Sequence, residues 1–149
     1  MTSSLQGDAD IFKEVRENKD FAKAADLIPY AKFLGITFSE ENDQLIFKLP
    51  FIEKNIGNTF LPAIHGGVIG GFLENAAVMH LMWTMESAFM PKIIDINIDY
   101  MLSGRPETTF AACEIVKQGK RIANVQIKAW QSDPEKPIAI ARSHFKVTL

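Results

Sequence analysis

The sequence predicts an α+β fold, an antiparallel sheet of five to six strands wrapped round one central helix at about residues 66–85, with one or two helices ahead of it. Three observations predict it. The last third of the chain alternates apolar and polar residues over four segments. The connections between those segments are too short for βαβ crossovers, so the strands run as an antiparallel meander. The stretch from Gly66 to Trp83 is apolar almost all round. A helix of that kind is buried, and no other element here is apolar enough to cover the sheet's inner face.

The elements follow in order. From Ala9 to Leu27 the chain is rich in Lys, Glu and Ala, with Ile11, Phe12 and Val15 at helical spacing. Asp8 or Asp10 is read as a helix cap. Phe21, Ala24 and Ala25 begin a second short turn, which Pro29 ends. Ile36 and Phe38, then Leu45, Phe47 and Leu49, alternate on either side of Glu41-Asn42-Asp43 and read as a hairpin. Glu53 to Pro62 reads as a loop. After the central helix, strands run through Ile94–Tyr100, Thr109–Ile115, Ala123–Ala129 and Ala139–Val147, with turns at Ser103–Pro106, Lys117–Lys120 and Asp133–Pro137. Residues 1–149 are expected to form one domain, with residues 1–30 as a helical extension.

Composition narrows the function. The 149 residues are 47% hydrophobic and 23% charged, with a formal net charge of -2. Neither a nucleic-acid partner nor a membrane surface is expected without a basic excess. The N-terminus has no basic segment leading into an apolar core, so it does not read as a secretory signal. The single cysteine, Cys113, cannot form an intrachain disulfide, which fits a cytoplasmic setting. His65, His80 and His144 are scattered without ligand spacing, so no metal site is expected.

The central helix is chemically lopsided. At 100° per residue, Gly67, Gly70, Gly71, Ala77, Val78 and Leu81 lie near the direction of Glu74. Phe72, Ala76, Met79 and Trp83 lie opposite. Glycine inside a helix costs roughly 1 kcal/mol against alanine. Close approach of a neighbouring element and a ligand lying along the backbone both account for that cost. Glutamate is rarely buried unless paired or functional, which favours the ligand. His65-Gly66-Gly67 stands where the helix begins. Free N–H groups there suit an anion or a developing oxyanion. His65 and Glu74 are nine residues apart, roughly 13 Å along one helix and half a turn out of phase. If both act on one substrate they come from two chains, which points to an isologous dimer.

His65-Gly66-Gly67, with a carboxylate nine residues after the histidine, resembles the hotdog acyl-CoA thioesterases of the phenylacetate-pathway (PaaI) type. Asn58 upstream, the strand Asp95–Tyr100 and the hairpin Lys117–Ala123 extend the resemblance over roughly Gly35 to Val147. The resemblance implies a hotdog fold and a homodimer, or a dimer of dimers (a homotetramer). It implies an acyl-CoA substrate, for which the apolar tunnel candidates named below point to a medium-chain or aromatic acyl group, and no cofactor beyond the coenzyme A of the substrate. The N–H of Gly66 would polarise the thioester carbonyl, with His65 and Asn58 in support. Glu74 of the partner chain would act as general base or nucleophile.

Gly67, Arg105, Lys120 and Arg121, with Lys117 and Arg142, are the candidates for coenzyme A. Phe51, Phe60, Leu81, Met82 and Phe89 are candidates for an acyl tunnel. Ile93 and Val78 stand where many members carry a hydroxyl. Two other readings stay open: a hotdog acyl hydratase or dehydratase, and a non-catalytic acyl-CoA-binding module.

Overall fold

The computed structural model describes the backbone of residues 2–85 and 89–148, with side chains from residue 10 onward. Three helices come first: α1 (Thr2–Glu17), α2 (Phe21–Asp26) and α3 (Pro29–Leu34). Strands β1 (Thr37–Glu41) and β2 (Gln44–Leu49) follow, then a 3-10 turn at Glu53–Asn55 and the short strands β3 (Ile56–Asn58) and β4 (Ala63–Ile64). Helix α4 spans Gly66–Thr84. Strands β5 (Lys92–Tyr100), β6 (Thr109–Gln118), β7 (Ile122–Trp130) and β8 (Ala139–Lys146) complete the described chain. This is the hotdog arrangement: a six-stranded antiparallel sheet with one long central helix. No described helix is long and apolar enough to cross a membrane.

The N-terminal segment holds three helices where one or two were expected. Pro29 opens α3 instead of ending α2. Proline's fixed φ and missing N–H cost nothing at a first helical position. Gly35, at φ 74°, closes α3 in the left-handed conformation. Neither Asp8 nor Asp10 caps a helix, because α1 begins before both. The cap in this region is Asp20, whose side chain accepts from the Lys23 N–H at 3.1 Å.

The strand order also differs from a simple meander. It runs β1-β2-β6-β7-β8-β5, so β5 pairs with β8 and not with β6. The β5–β6 connection therefore crosses the end of the sheet. It is pinned there by the Ile64 N–H donating to the Gly104 carbonyl at 2.9 Å, and by the Met101 N–H donating to the Ile138 carbonyl at 2.8 Å. Gly104 sits in this crossing with no room to spare. A Cβ would stand 3.3 Å from Ile69 and 3.4 Å from Ile64. Glu53 to Pro62, expected as loop, contains β3, which pairs with β4 just beyond it.

Alternation works as expected in β7, where Ala123, Val125, Ile127 and Ala129 are all fully buried. Phe72, Leu73, Met79 and Leu81 of α4 fill the space between this face and the N-terminal helices. Burying side chains of this size contributes about 1.5–3 kcal/mol each. Trp83, near the end of α4, stacks on Phe21 of α2 at 4.7 Å and meets Phe38 of β1 edge-on at 5.3 Å.

The register gives the sheet two distinct ends. Tyr100 faces Ala139 and Ala139 faces Ala129. At the other end Lys92 and Ile122 both face Lys146. The start of α4 lies at the first end and the β6–β7 hairpin at the second. Eight strand steps, roughly 26 Å, separate them.

Candidate active site

Helix α4 begins at His65, whose φ of -58° and ψ of 131° make it the N-cap. Its carbonyl accepts from the Val68 N–H at 3.0 Å and the Ile69 N–H at 3.2 Å. Its ring Nδ1 accepts from the Gly67 N–H at 2.9 Å. Four N–H groups at a helix start have no partner inside the helix. Of these, the Gly67 and Val68 N–H groups are taken by His65, and the N–H of His65 itself by the Asn55 carbonyl, whereas the Ile69 bond is the first ordinary helix bond. The fourth, that of Gly66, has no partner among the described residues. It is the donor assigned to the thioester carbonyl by resemblance.

His65 is held from below by the β3–β4 pair. Its N–H donates to the Asn55 carbonyl at 2.8 Å. Gly57 lies so close that a Cβ there would stand 2.8 Å from the His65 Cα and 2.9 Å from its ring Cδ2. Only glycine allows that approach. Of the two nearby asparagines, Asn58 is the one expected to support the site. Its side-chain oxygen instead accepts from the Phe60 and Leu61 N–H groups, at 3.0 and 3.3 Å, and caps its own exposed turn. Asn55 has a buried side-chain Nδ2 with no hydrogen-bond partner. Its spacing from His65 gives no hint of this. The two become neighbours through the pairing of Ile56 with Ile64.

Glu74 is half-buried on the third turn of α4 and forms no hydrogen bond or ion pair among the described residues. The glycine face around it is partly covered. A Cβ on Gly70 would meet Ile98 at 3.2 Å, and one on Gly71 would meet Tyr30 of α3 at 3.0 Å. Close approach therefore accounts for these two. Gly67 is different: a Cβ there would meet only the His65 ring within 4 Å. The open part of the face is thus the first turn.

The residues expected to bind coenzyme A do not gather in one protomer. Gly67 and Arg105 lie at the helix-start end. Lys120 and Arg121 lie at the hairpin end, beside a cleft of about 500 Å³ that Lys117 and His144 also line. The acyl-tunnel candidates disperse too. Leu81 and Met82 belong to the buried core, whereas Phe51, Phe60 and Phe89 are exposed, Phe60 at 96%. Burial pushes the Cys113 thiol well above its usual range, which makes it inert at neutral pH. Burial also lowers His80 to about 4, so it is neutral there. No group of three His, Cys, Asp or Glu side chains gathers for a metal among the described residues.

The profile of the thioesterase superfamily matches residues 61–138. A solved structure from Chromobacterium violaceum is 48% identical, with a TM-score of 0.79, over 93% of this chain and 97% of that one. A thioesterase enzyme from Staphylococcus aureus has the same fold at 19% identity, with a TM-score of 0.68 over 82% of this chain and 100% of that one. So does the Escherichia coli PaaI protein from the phenylacetic acid degradation operon, at 18% identity and a TM-score of 0.69, over 87% and 95% of the two chains. No curated protein matches.

Proposed function

We propose, from the premise that this chain belongs to the thioesterase superfamily, that it is a PaaI-type enzyme hydrolysing a medium-chain or aromatic acyl-CoA. The observation that carries this reading is the single free donor at the start of α4. With two of the four N–H groups taken by His65 and a third by the Asn55 carbonyl, the Gly66 N–H is left to bind the thioester oxygen as negative charge develops on it. Glu74 of a second copy takes a proton from water as the water oxygen adds to the carbonyl carbon. The tetrahedral oxyanion then collapses, the C–S bond breaks, and coenzyme A leaves as a thiolate that is reprotonated. Asn55, not Asn58, is the supporting amide in this reading.

The second copy docks on β5. That strand ends the sheet, with Ile94 and Tyr100 each 53% exposed. Antiparallel pairing of two β5 edges in an isologous dimer would bring the Lys92 end of one copy to the Tyr100 end of the other. The partner's Lys120 and Arg121 would then reach the site formed by Gly67 and Arg105. Coenzyme A phosphates held from both chains account for the separation of these residues within one protomer.

The test is thiol release from short, medium, long and aromatic acyl-CoAs, with wild type beside Glu74→Gln. Wild type should turn over at least one substrate, and Glu74→Gln should lose about a hundredfold or more in kcat while remaining folded. Tight binding without turnover would favour the binding-module reading. Hydration of an enoyl-CoA would favour a hydratase.

A further inference from the structure

We infer that Tyr100 is a positioning residue that sets the tautomer of His65 through one peptide group. The inference rests on the thioesterase reading for its effect on rate, but not for the tautomer itself. The Tyr100 hydroxyl donates to the Gly66 carbonyl at 2.7 Å. That carbonyl and the Gly67 N–H belong to the same peptide unit. The Gly67 N–H donates in turn to the His65 Nδ1 at 2.9 Å.

Each link has a chemical consequence. A ring nitrogen that accepts a hydrogen bond carries no proton, so neutral His65 holds its proton on Nε2. A donor on the carbonyl oxygen polarises the amide and strengthens its N–H as a donor. The phenol therefore reinforces the bond that keeps Nδ1 unprotonated. The opposite tautomer would set the Nδ1 proton against the Gly67 N–H. Gly57 blocks retreat of the ring, because its backbone lies against Cδ2. His65 thus presents an Nε2–H, a neutral donor suited to a thioester oxygen or a departing sulfur.

Two helix glycines lie within ordinary contact range of the same phenol. A Cβ on Gly66 would stand 3.5 Å from the Tyr100 ring, and one on Gly70 would stand 3.6 Å from its hydroxyl. A tyrosine that only anchored β5 to α4 would need neither the peptide link nor the histidine.

The test combines spectroscopy with a double-mutant cycle. Nitrogen-15 spectra of the imidazoles, assigned with His80 and His144 variants, should show His65 as the Nε2–H form in wild type. Tyr100→Phe, which deletes only the hydroxyl, should shift the His65 resonances towards a mixture and move the Gly67 amide proton upfield. With an active substrate, Tyr100→Phe should lower kcat about fivefold and leave KM within about twofold. In a His65→Ala background it should cost nothing further in kcat, because the effect passes through the ring.

The chain has two tyrosines, so fluorotyrosine incorporated in a Tyr30→Phe background labels Tyr100 alone. This stronger donor, kept below its pKa, should move the Gly67 amide proton downfield. An Nδ1–H tautomer in wild type, or His65 resonances that ignore both changes to the phenol, would overturn the inference. So would equal kcat losses with and without His65. Absence of turnover on every acyl-CoA would sink the thioesterase reading alone and leave the spectroscopic result to stand or fall separately.

Discussion

The two histidines of α4 and its cap occupy opposite circumstances. His65 is exposed at the helix start, yet its backbone N–H, its carbonyl and its Nδ1 all have partners. His80, four turns on, is mostly enclosed by the protein, and its buried Nδ1 has none. The exposed ring is held in one orientation by hydrogen bonds and by the backbone of Gly57. The enclosed ring is held by packing alone, at the cost of its charged form. Fixed geometry and low solvent access are thus separate properties, and along this helix the candidate chemistry goes with the first.

The largest expected effect lies at His80. Its folded pKa of about 4 is below the ordinary value of 6.5, so the unfolded chain takes up a proton first as the pH falls. Stability should be complete above about pH 6.5 and fall by on the order of 2–3 kcal/mol as the pH drops towards 4. Urea unfolding at a series of pH values reads this directly. His80→Phe should flatten the slope between pH 6.5 and 5. An unchanged slope would mean that the ring protonates in the folded state and that the contrast with His65 is false.

Gly57→Ala comes next. The new methyl would meet the His65 Cα at 2.8 Å, so backbone must move, at a cost of about 1–3 kcal/mol. The Gly67 amide proton should shift with it, which an amide spectrum records. The smallest effect separates the two asparagines. Asn55→Ala should lower kcat/KM about tenfold, whereas Asn58→Ala, on an exposed turn, should change it less than about twofold. The reverse order would restore Asn58 as the supporting amide.

The sheet and the central helix were legible because their signals are local. Alternation in β7 and the all-round apolarity of α4 each reflect burial, which a period of two or a missing polar face records directly. The placement of β5 beside β8 was not legible. It depends on a connection crossing under Gly104, and nothing in residues 101–108 distinguishes that path from a hairpin. At the site, His65, Gly66 and Glu74 stood out through residue type and position on one helix. Asn55 did not, since its closeness to His65 arises from pairing between two strands of three and two residues. Tyr100 was visible only as one more residue of an alternating strand. Proline was the misleading signal: Pro29 reads as a breaker but serves as a starter, and only the helix that follows tells the two apart.

The crossing strand also sets a timetable for synthesis. Helix α4 is complete at Thr84, but the strands that bury it end only at Lys146, and the sheet closes only when β8 is available to both β7 and β5. At ordinary elongation rates the ribosome takes roughly 3–12 s to make the intervening stretch. At the start of that interval only β1, β2 and the N-terminal helices have been made for the apolar helix to lie against. The aromatic contacts of Trp83 with Phe21 and Phe38 are the ones available in that window. The N-terminal helices thus precede α4 in order of synthesis, and their contacts with Trp83 are the ones that need no later strand.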